Sequence, residues 1–269
     1  MSKLWERMLL VPSVVRLTSR VPKDPTVAWD GYWRGIRTTG RSGDVLWDSG
    51  SRTEHAQYSD AVVAHFDPAL PVIDVGCGNG TYTRWLAGLF PRVLGLDVSA
   101  SAVELAKREA EAVENADFMV MDAAAVGAGE TLLERIGPAN VFVRGVFHVL
   151  KPDKQSSLAA NLRTVIGRSG RVFLAETNFH GNSLAYLQQL GATPRSMPRQ
   201  LQSALENLPR PGHFGAQERH SAFSDSDWQL IADGPVNIEV VPMKSAGLSQ
   251  QVPGYFALLA GKESSDHSP

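Results

Sequence analysis

From residue 70 onward, short apolar runs alternate with segments of helical spacing, and this rhythm restricts the chain to a small set of folds. Each run has the length of a buried strand, and most are followed by a helical segment. A helix between consecutive strands is the usual crossover of a parallel pair. The pattern therefore predicts a mainly parallel sheet with helices on both faces. The strands predicted in this way are Val72–Val75, Val93–Val98, Phe118–Met121, Val141–Val143 and Arg171–Ala175.

After the fifth strand the alternation stops. Prolines separate helical and loop signals over residues 178–234, including a helical signal at Ser226–Ile231. The last two predicted strands, Val236–Val241 and Tyr255–Ala260, leave no room for a crossover helix, so we expect an antiparallel pair at the sheet edge. The predicted fold class is α/β, a Rossmann-like seven-stranded, mainly parallel sheet with an antiparallel last strand. Residues 70–262 would form this domain, with the insertion as a cap over the carboxyl ends of the strands.

Residues 1–69 hold four of the six tryptophans and are predicted to form a helical, aromatic lid segment. Trp33 is the best single candidate to cover a bound ligand. The opening residues predict a short amphipathic helix packed on its own domain, because Glu6, Arg7 and Pro12 interrupt the apolar region that a signal peptide would need. A dimer contact or a membrane surface is left open as an alternative for this helix. At the other end, the polar residues 263–269 predict a disordered tail.

Composition excludes several functional classes. The 26 Lys and Arg residues nearly balance the 28 Asp and Glu residues, so the chain lacks the basic excess with which proteins bind duplex nucleic acid. We therefore expect no nucleic-acid partner. The single cysteine, Cys77, excludes an intrachain disulfide and a multi-cysteine metal site, and no metal is predicted. Since no apolar stretch approaches the roughly 20 residues of a membrane span, we expect a cytoplasmic protein without stable membrane insertion; a homodimer is left open.

The most informative residues are Asp74–Gly80, between the first predicted strand and the next helix. Glycines there allow the backbone to approach a ligand closely, and the helix start offers free N–H groups. The glycine spacing lacks the third glycine of the dinucleotide fingerprint, and Asp74 would repel a pyrophosphate. The loop instead suits a ligand that carries an ammonium group.

Two further acids end the next two predicted strands. Asp97 can accept hydrogen bonds from the two hydroxyls of a ribose. Asp122 is placed to accept a hydrogen bond from the amino group of adenine. Because parallel strands end at the same edge of a sheet, we expect the three acids to form one row along a ligand cleft.

These segments, together with Arg144–Leu150 after the fourth strand, resemble the motif series of class I S-adenosylmethionine-dependent methyltransferases of the small-molecule type. The resemblance covers about residues 70–177. It implies S-adenosyl-L-methionine as cofactor, with S-adenosyl-L-homocysteine as product, and a small-molecule methyl acceptor. We predict ten cofactor-binding residues, of which one, Trp33, belongs to the lid segment. The other nine are Asp74, Gly76, Cys77, Gly78, Asp97, Val98, Asp122, Ala123 and Arg144.

The resemblance also narrows the reaction. The Asn/Asp-Pro-Pro-Tyr/Phe sequence of DNA-adenine and glutamine methyltransferases does not follow the fourth strand, and the Pro-Cys nucleophile of the cytosine-C5 branch is missing. Methylation of oxygen is slightly favoured over nitrogen or carbon. His148, just beyond the fourth strand, is the leading candidate for a catalytic base. The cap histidines, His180, His213 and His220, are weaker candidates.

Two alternatives stay open from the sequence. The first is an NAD-dependent oxidoreductase. The second is a protein that binds S-adenosylmethionine without transferring its methyl group, such as a regulator or a cyclase. An acceptor pocket beside the sulfonium would distinguish the methyltransferase from this second class.

Overall fold

The computed structural model describes residues 3–50, 52–241 and 250–262, which contain a seven-stranded sheet of order β3-β2-β1-β4-β5-β7-β6. Strand β7 is antiparallel to both of its neighbours, β5 and β6, whereas the pairs among β1 to β5 are all parallel. The predicted α/β sheet with an antiparallel last strand is confirmed. The strands are β1 Val72–Val75, β2 Val93–Asp97, β3 Ala116–Val120, β4 Asn140–Arg144, β5 Arg171–Thr177, β6 Trp228–Val240 and β7 Gln250–Gly261. The tail predicted at 263–269 lies outside the described residues.

Helices cover both faces of the sheet and build the lid segment and the cap. A short 3₁₀ helix at Phe147–Val149 follows β4. The α-helices of the described chain are α1 Lys3–Thr18, α2 Pro25–Arg34, α3 Arg52–His65, α4 Thr81–Ala87, α5 Ala100–Glu109, α6 Ala128–Ile136, α7 Pro152–Ile166, α8 Ser183–Gln189, α9 Arg199–Asn207 and α10 Ala216–Ala222.

The core has two layers because successive side chains of a strand point to opposite faces of the sheet. Ile73 and Val75 of β1 pack in one layer with Leu162 of α7. Val72 packs in the other layer with Tyr58 of α3. Both faces of the central strands are therefore buried, which explains why these strands are continuous apolar runs in the sequence.

The opening helix, α1, runs through Pro12 and ends at Thr18. A proline inside a helix removes one backbone hydrogen bond and is locally unfavourable. Leu10 and Leu17, on either side of it, are buried against the domain. Tertiary packing therefore outweighs the local cost.

The helical signal at Ser226–Ile231 was also wrong, because β6 begins at Trp228 and pairs there with Gly261 of β7. The Trp228 side chain is buried in the core, where it lies edge-on against Phe223. The sheet therefore resumes at Trp228, ahead of the cap boundary expected at residue 234. A pairing with a distant strand, which local spacing does not report, decides this segment.

The order of the strands places the ligand crevice. From β1 the chain builds outward to β2 and β3 on one side, and it then returns to add β4 on the other side. In open α/β sheets, ligands bind at this reversal, outside the carboxyl ends of the strands. The loops that follow β1, β2 and β4 therefore border the crevice.

Candidate active site

The acids predicted to form a row do lie on adjacent strands. Asp74 is in β1, Asp97 ends β2, and Asp122 follows β3, in a sheet where β3, β2 and β1 are neighbours. Asp74 and Asp97 are buried, whereas the side chain of Asp122 is 47% exposed. Two of the acids thus line the inner part of the crevice, and the third lies at its rim.

The loop after β1 takes a conformation that requires glycine. Gly76 has φ +74°, and a Cβ there would lie 2.4 Å from Cγ2 of Val146. Gly78 has φ +54°, and a Cβ there would lie 2.7 Å from the ring of Trp33. Glycine alone avoids both the left-handed strain and the contacts. The loop backbone is therefore in direct contact with the turn after β4 on one side and with the lid segment on the other.

Asp74 is only 2% exposed and accepts a hydrogen bond from Oγ1 of Thr83 at 2.6 Å. Burial raises the pKa of Asp74 to about 7; the Thr83 hydroxyl opposes this rise and the charge of Asp97 adds to it. A desolvated carboxyl of this kind would be stabilised in its charged form by a nearby ammonium group. This is the property expected of the residue that receives the amino group of an amino-acid ligand.

Asp97 joins the glycine loop to the start of α5. Its Oδ2 accepts from the Gly78 N–H at 3.0 Å, and its Oδ1 accepts from the Ser99 N–H at 2.9 Å. Burial raises the pKa of Asp97 to about 6, against the lowering effect of these backbone donors. Each carboxylate oxygen can accept a second hydrogen bond, so the geometry is compatible with a ribose diol.

A small cavity lies at the switch point. Of the predicted site residues, Asp74, Gly76, Cys77, Gly78 and Arg144 line it. The others (Trp33, Asp97, Val98, Asp122, Ala123 and His148) are not part of this lining. Sequence reasoning missed half of the wall, which comprises Trp47, Asp48, Asn79, Thr81 and Tyr82.

Arg144 lines the cavity, and its side chain reaches across to α3. Its guanidinium forms a two-pronged ion pair with Glu54 of α3, with Nε–Oε1 at 2.5 Å and Nη2–Oε2 at 3.0 Å. It also lies over the ring of Tyr82, 5.0 Å from the centroid. Glu54 accepts two further hydrogen bonds, from the Tyr58 hydroxyl and the Glu239 N–H. The arginine is thus fixed by a buried network at the cavity wall.

Asp122 and Ala123 lie farther out. Oδ1 of Asp122 accepts from the Ala124 N–H at 2.9 Å, and its Oδ2 lies 3.8 Å from Nζ of Lys154. The Ala123 side chain is buried in the core, and its carbonyl accepts from Asn161. Val98, on the next loop inward, is partly exposed. The predicted contacts of these three residues with adenine stay predictions.

The lid segment is held on the crevice at two acidic anchors. Asp30 of α2 accepts from Oγ of Ser99 at 3.0 Å and from the Ser101 N–H at 2.9 Å, and this backbone donor is the main cause of its lowered pKa. Asp48 accepts from Nδ2 of Asn79 in the glycine loop at 2.8 Å. An aromatic cluster fills the space between the anchors, and Trp33 is its member that touches Gly78. The cluster consists of Trp29, Tyr32, Trp33 and Trp47.

His148 is paired with a buried carboxylate. Its Nδ1 lies 2.7 Å from Oε2 of Glu176, which ends β5 and is fully buried. Glu176 also accepts the backbone N–H groups of Val146, Phe147 and His148 at 2.9 to 3.2 Å. In a neutral imidazole that donates from Nδ1 to an ionised Glu176, Nε2 is the nitrogen that can accept a proton. The arrangement can orient an imidazole as a general base.

The cap histidines are arranged differently. The His180 and His213 rings lie 4.9 Å apart, and Nε2 of His213 is 3.1 Å from Oε1 of Glu218. His220 is paired with Asp225 at 3.6 Å. The cap loop does reach His148, since the Gly212 N–H donates to its carbonyl at 2.8 Å. Of these four histidines, His148 is the one in the turn after β4, whose Val146 lies against Gly76.

The chain is similar in sequence and fold to known proteins. Residues 72–170 match the family model described as a methyltransferase domain. Methyltransferase nsrG of Aspergillus novofumigatus is 25% identical over 221 residues, which span 77% of this chain and 76% of that protein. The crystal structure of an S-adenosylmethionine-dependent methyltransferase from Anabaena variabilis is 28% identical, with a TM-score of 0.76 over 91% of this chain and 98% of that one. The chain is a class I S-adenosylmethionine-dependent methyltransferase.

A further solved structure shares the fold of the methyltransferase at 21% identity and a TM-score of 0.65, covering 88% of this chain and 92% of the other. It concerns the conversion of a disulfide bond into a thioacetal group during echinomycin biosynthesis. The cofactor of the methyltransferase is S-adenosylmethionine. The residues present fit it, since a buried carboxyl with a raised pKa lies beside an exposed glycine backbone and next to a ribose-compatible acid.

No helix in the described ranges is long and apolar enough to cross a membrane. Among the same residues, no group of three or more His, Cys, Asp and Glu side chains is arranged to hold a metal ion.

We expect cofactor binding to depend on pH, because the pKa of Asp74 is raised. Folding favours the protonated carboxyl, because the pKa is about 7 in the folded enzyme against an ordinary 3.8. This group therefore lowers the stability of the free enzyme as the pH rises from about 4 to about 7. An ammonium ligand needs the charged form, so we expect the affinity for S-adenosylhomocysteine to rise over about pH 5.5 to 7. Asp97, with its pKa of about 6, acts in the same direction.

Asp74→Asn tests this assignment. The variant should bind S-adenosylhomocysteine more weakly, with a flatter pH dependence, and its free form should melt at a higher temperature than the wild type near neutral pH. Calorimetric titration and thermal denaturation at several pH values measure the two effects. Asp60→Asn, at an exposed position of α3, is the matched control. A wild-type pH profile in Asp74→Asn would show that another group titrates.

Proposed function

We propose that the methyltransferase transfers the methyl group of S-adenosylmethionine to an oxygen atom of a small, partly apolar acceptor, with His148 as general base. The observation that carries this proposal is the buried pair of His148 and Glu176, 2.7 Å apart. A base is needed when the acceptor is protonated at neutral pH. Ionising a phenol of pKa about 10 at pH 7 costs roughly 4 kcal/mol, and a positioned imidazole can offset much of that cost.

The placement of the residues supports the following cofactor contacts. Asp74 receives the ammonium group, and the backbone of Gly76, Cys77 and Gly78 lies along the methionine portion. Asp97 accepts the ribose hydroxyls. The Arg144 guanidinium, at the cavity wall, is suited to the methionine carboxylate.

The adenine end is assigned to the loops after β2 and β3. Val98 packs on the ring, and Asp122 with Ala123 lies at the edge that carries the amino group. Trp33 covers the glycine loop, and its contact with Gly78 supports this placement. A tryptophan face near the cofactor would also attract the positive sulfonium.

When bound, S-adenosylmethionine supplies an activated methyl group on a sulfonium. The protein then aligns the acceptor, excludes water and takes one proton. Alignment alone can contribute roughly 7–11 kcal/mol to lowering the barrier. His148 Nε2 accepts the acceptor's proton, while Glu176 holds the ring and stabilises the imidazolium.

A small acceptor is favoured by the two segments next to the crevice, the lid segment 1–69, which supplies Trp47 and Asp48 of the cavity wall, and the cap at about 178–234 of the domain 70–262. They touch each other as well, since Gln200 of α9 donates to the Gly43 carbonyl at 2.9 Å and Arg199 pairs with Asp44 at 3.1 Å. An enclosed site of this kind suits a small molecule better than a macromolecule. The cytoplasmic location, the homodimer and the absence of a nucleic-acid partner stay predictions.

The experiment is a thermal-shift screen of small phenols, carboxylic acids and amines in the presence of S-adenosylhomocysteine, followed by transfer assays with methyl-labelled cofactor. Pairs of acceptors that differ only in a hydroxyl or an amino group identify the attacked atom. We expect labelled product from the hydroxyl member. Transfer to the amine alone would refute oxygen methylation, and cofactor binding without transfer to any acceptor would favour a regulator or a cyclase. Tighter binding of NAD than of S-adenosylhomocysteine would contradict the assignment of S-adenosylmethionine as the cofactor.

A further inference from the structure

The outer face of α1 is apolar. Leu10 and Leu17 are buried, and Leu10 packs in the same cluster as residues of α8 and α9 in the cap. The opposite side of the helix carries four large apolar side chains that are 41 to 60% exposed: Met8, Leu9, Val11 and Val15. Met8, Val11 and Val15 are three and four positions apart and lie on adjacent turns of one side of the helix, and Leu9 lies about 100° from Met8 at the edge of that side. We call these four residues the outer α1 face.

Basic residues accompany this face. Residues 1–23 contain five Lys and Arg residues against one acid, Glu6, which gives a net charge of +4 in a chain whose total is −2. The remaining 246 residues therefore carry −6. Arg16 and Arg20 are exposed, and neither has an acidic partner in the part of the chain that the structure describes. Positive charge is thus concentrated beside the apolar side chains.

We propose that α1 binds peripherally to the surface of an anionic lipid bilayer, with the outer α1 face among the acyl chains and the basic residues at the lipid headgroups. An interfacial helix combines these two properties, an apolar side and flanking Lys and Arg. Each basic residue near an anionic membrane contributes about 1 kcal/mol, which is roughly a fivefold gain in partition coefficient per residue. The helix lies in the membrane plane and does not span it.

Two features favour a bilayer over another protein. Met8 and Val15 are both 60% exposed, so their side chains project from the protein surface. Projecting apolar side chains are accommodated more easily by deformable lipid than by a preformed protein groove. A two-fold contact with a second copy would place the same patch against itself. It would therefore bring two segments of net charge +4 together, which is electrostatically unfavourable.

The membrane face is joined to the cap. Helix α1 contacts α8 and α9, and α9 in turn contacts α2 of the lid segment. A bilayer under α1 is therefore next to the two segments that enclose the acceptor side of the crevice. This placement is suited to an acceptor that partitions into lipid. That refinement rests on the proposed function, whereas the binding of α1 to lipid does not depend on it.

The test is co-sedimentation of the full chain with vesicles of phosphatidylcholine and phosphatidylglycerol in equal parts, and with vesicles of phosphatidylcholine alone. We expect binding to the mixed vesicles that weakens with added salt, and much weaker binding to the neutral ones. Val15→Glu should lower the partition coefficient at least tenfold. Arg16→Gln combined with Arg20→Gln should lower it roughly 25-fold, at about fivefold for each residue.

The matched control is Val63→Glu, because Val63 is 59% exposed and also lies in the last turn of a helix, α3. This variant should bind vesicles like the wild type. Thermal melting and S-adenosylhomocysteine affinity should be the same in all variants, which separates this test from that of the methyl acceptor. Three results overturn the proposal: no vesicle binding, equal binding of Val15→Glu and wild type, or a wild-type dimer in sedimentation velocity that Val15→Glu dissociates.

Discussion

Replacing His148 with alanine is expected to lower kcat by about 10²- to 10⁴-fold, the usual contribution of a positioned general base. Affinity for S-adenosylhomocysteine should stay at the wild-type value, because His148 is not part of the cavity lining that holds Asp74 and Arg144. The experiment uses the acceptor identified by the screen and measures kcat and KM separately. Added imidazole should restore part of the activity, since it can enter the space that the side chain leaves.

Two variants separate a base from a packing residue. His148→Asn keeps a donor toward Glu176 but cannot take the acceptor's proton, so it should be as slow as His148→Ala. If instead it regains most of the activity, the histidine has only a structural role. His213→Ala removes a neighbouring cap histidine, 46% exposed, and should keep wild-type kcat. Glu176 acts as a positioning residue, so Glu176→Gln should lower kcat. Added imidazole should still restore activity in the double variant that combines His148→Ala with Glu176→Gln.

Glu54→Ala is expected to destabilise the enzyme by about 3–5 kcal/mol, because it leaves the buried Arg144 charge without a partner. It also removes the acceptor of the Tyr58 hydroxyl and of the Glu239 N–H. Such a loss is a large part of the roughly 5–15 kcal/mol by which domains are usually stable. Urea denaturation followed by circular dichroism measures it.

The control for this loss is Arg199→Ala, which removes a pair with Asp44 in which the arginine side chain is 76% exposed. A pair of this exposure contributes at most about 1 kcal/mol. The double variant Glu54→Leu with Arg144→Met should recover stability relative to Glu54→Ala, since an apolar pair avoids the uncompensated charge. It should still bind the cofactor weakly if Arg144 holds the methionine carboxylate. Wild-type stability of Glu54→Ala would contradict the role given to the ion pair.

The pattern of apolar residues along the chain was sufficient to predict much of the central sheet. The strands β1, β2 and β4 are apolar on both faces, so their runs could be recognised without a partner, and Asp74 and Asp97 were placed by their position at the strand ends. The glycine loop was likewise predictable, because Gly76 and Gly78 need positive φ wherever the chain makes this turn. The helical signal at Ser226–Ile231 failed because a pairing with a distant strand outweighs local preference there.

By itself the sequence determined the class of sheet, the glycine loop and the two inner acids, because each depends on residues that are neighbours along the chain. The tertiary structure alone decided the pairing of His148 with Glu176, the buried pair of Arg144 with Glu54, and the anchoring of the lid by Asp30 and Asp48. These partners are 28 to 90 residues apart. Residues so far apart in the chain come into contact only when the sheet has brought their strands or loops together. The residue spacing within a single helix or strand therefore does not predict these contacts.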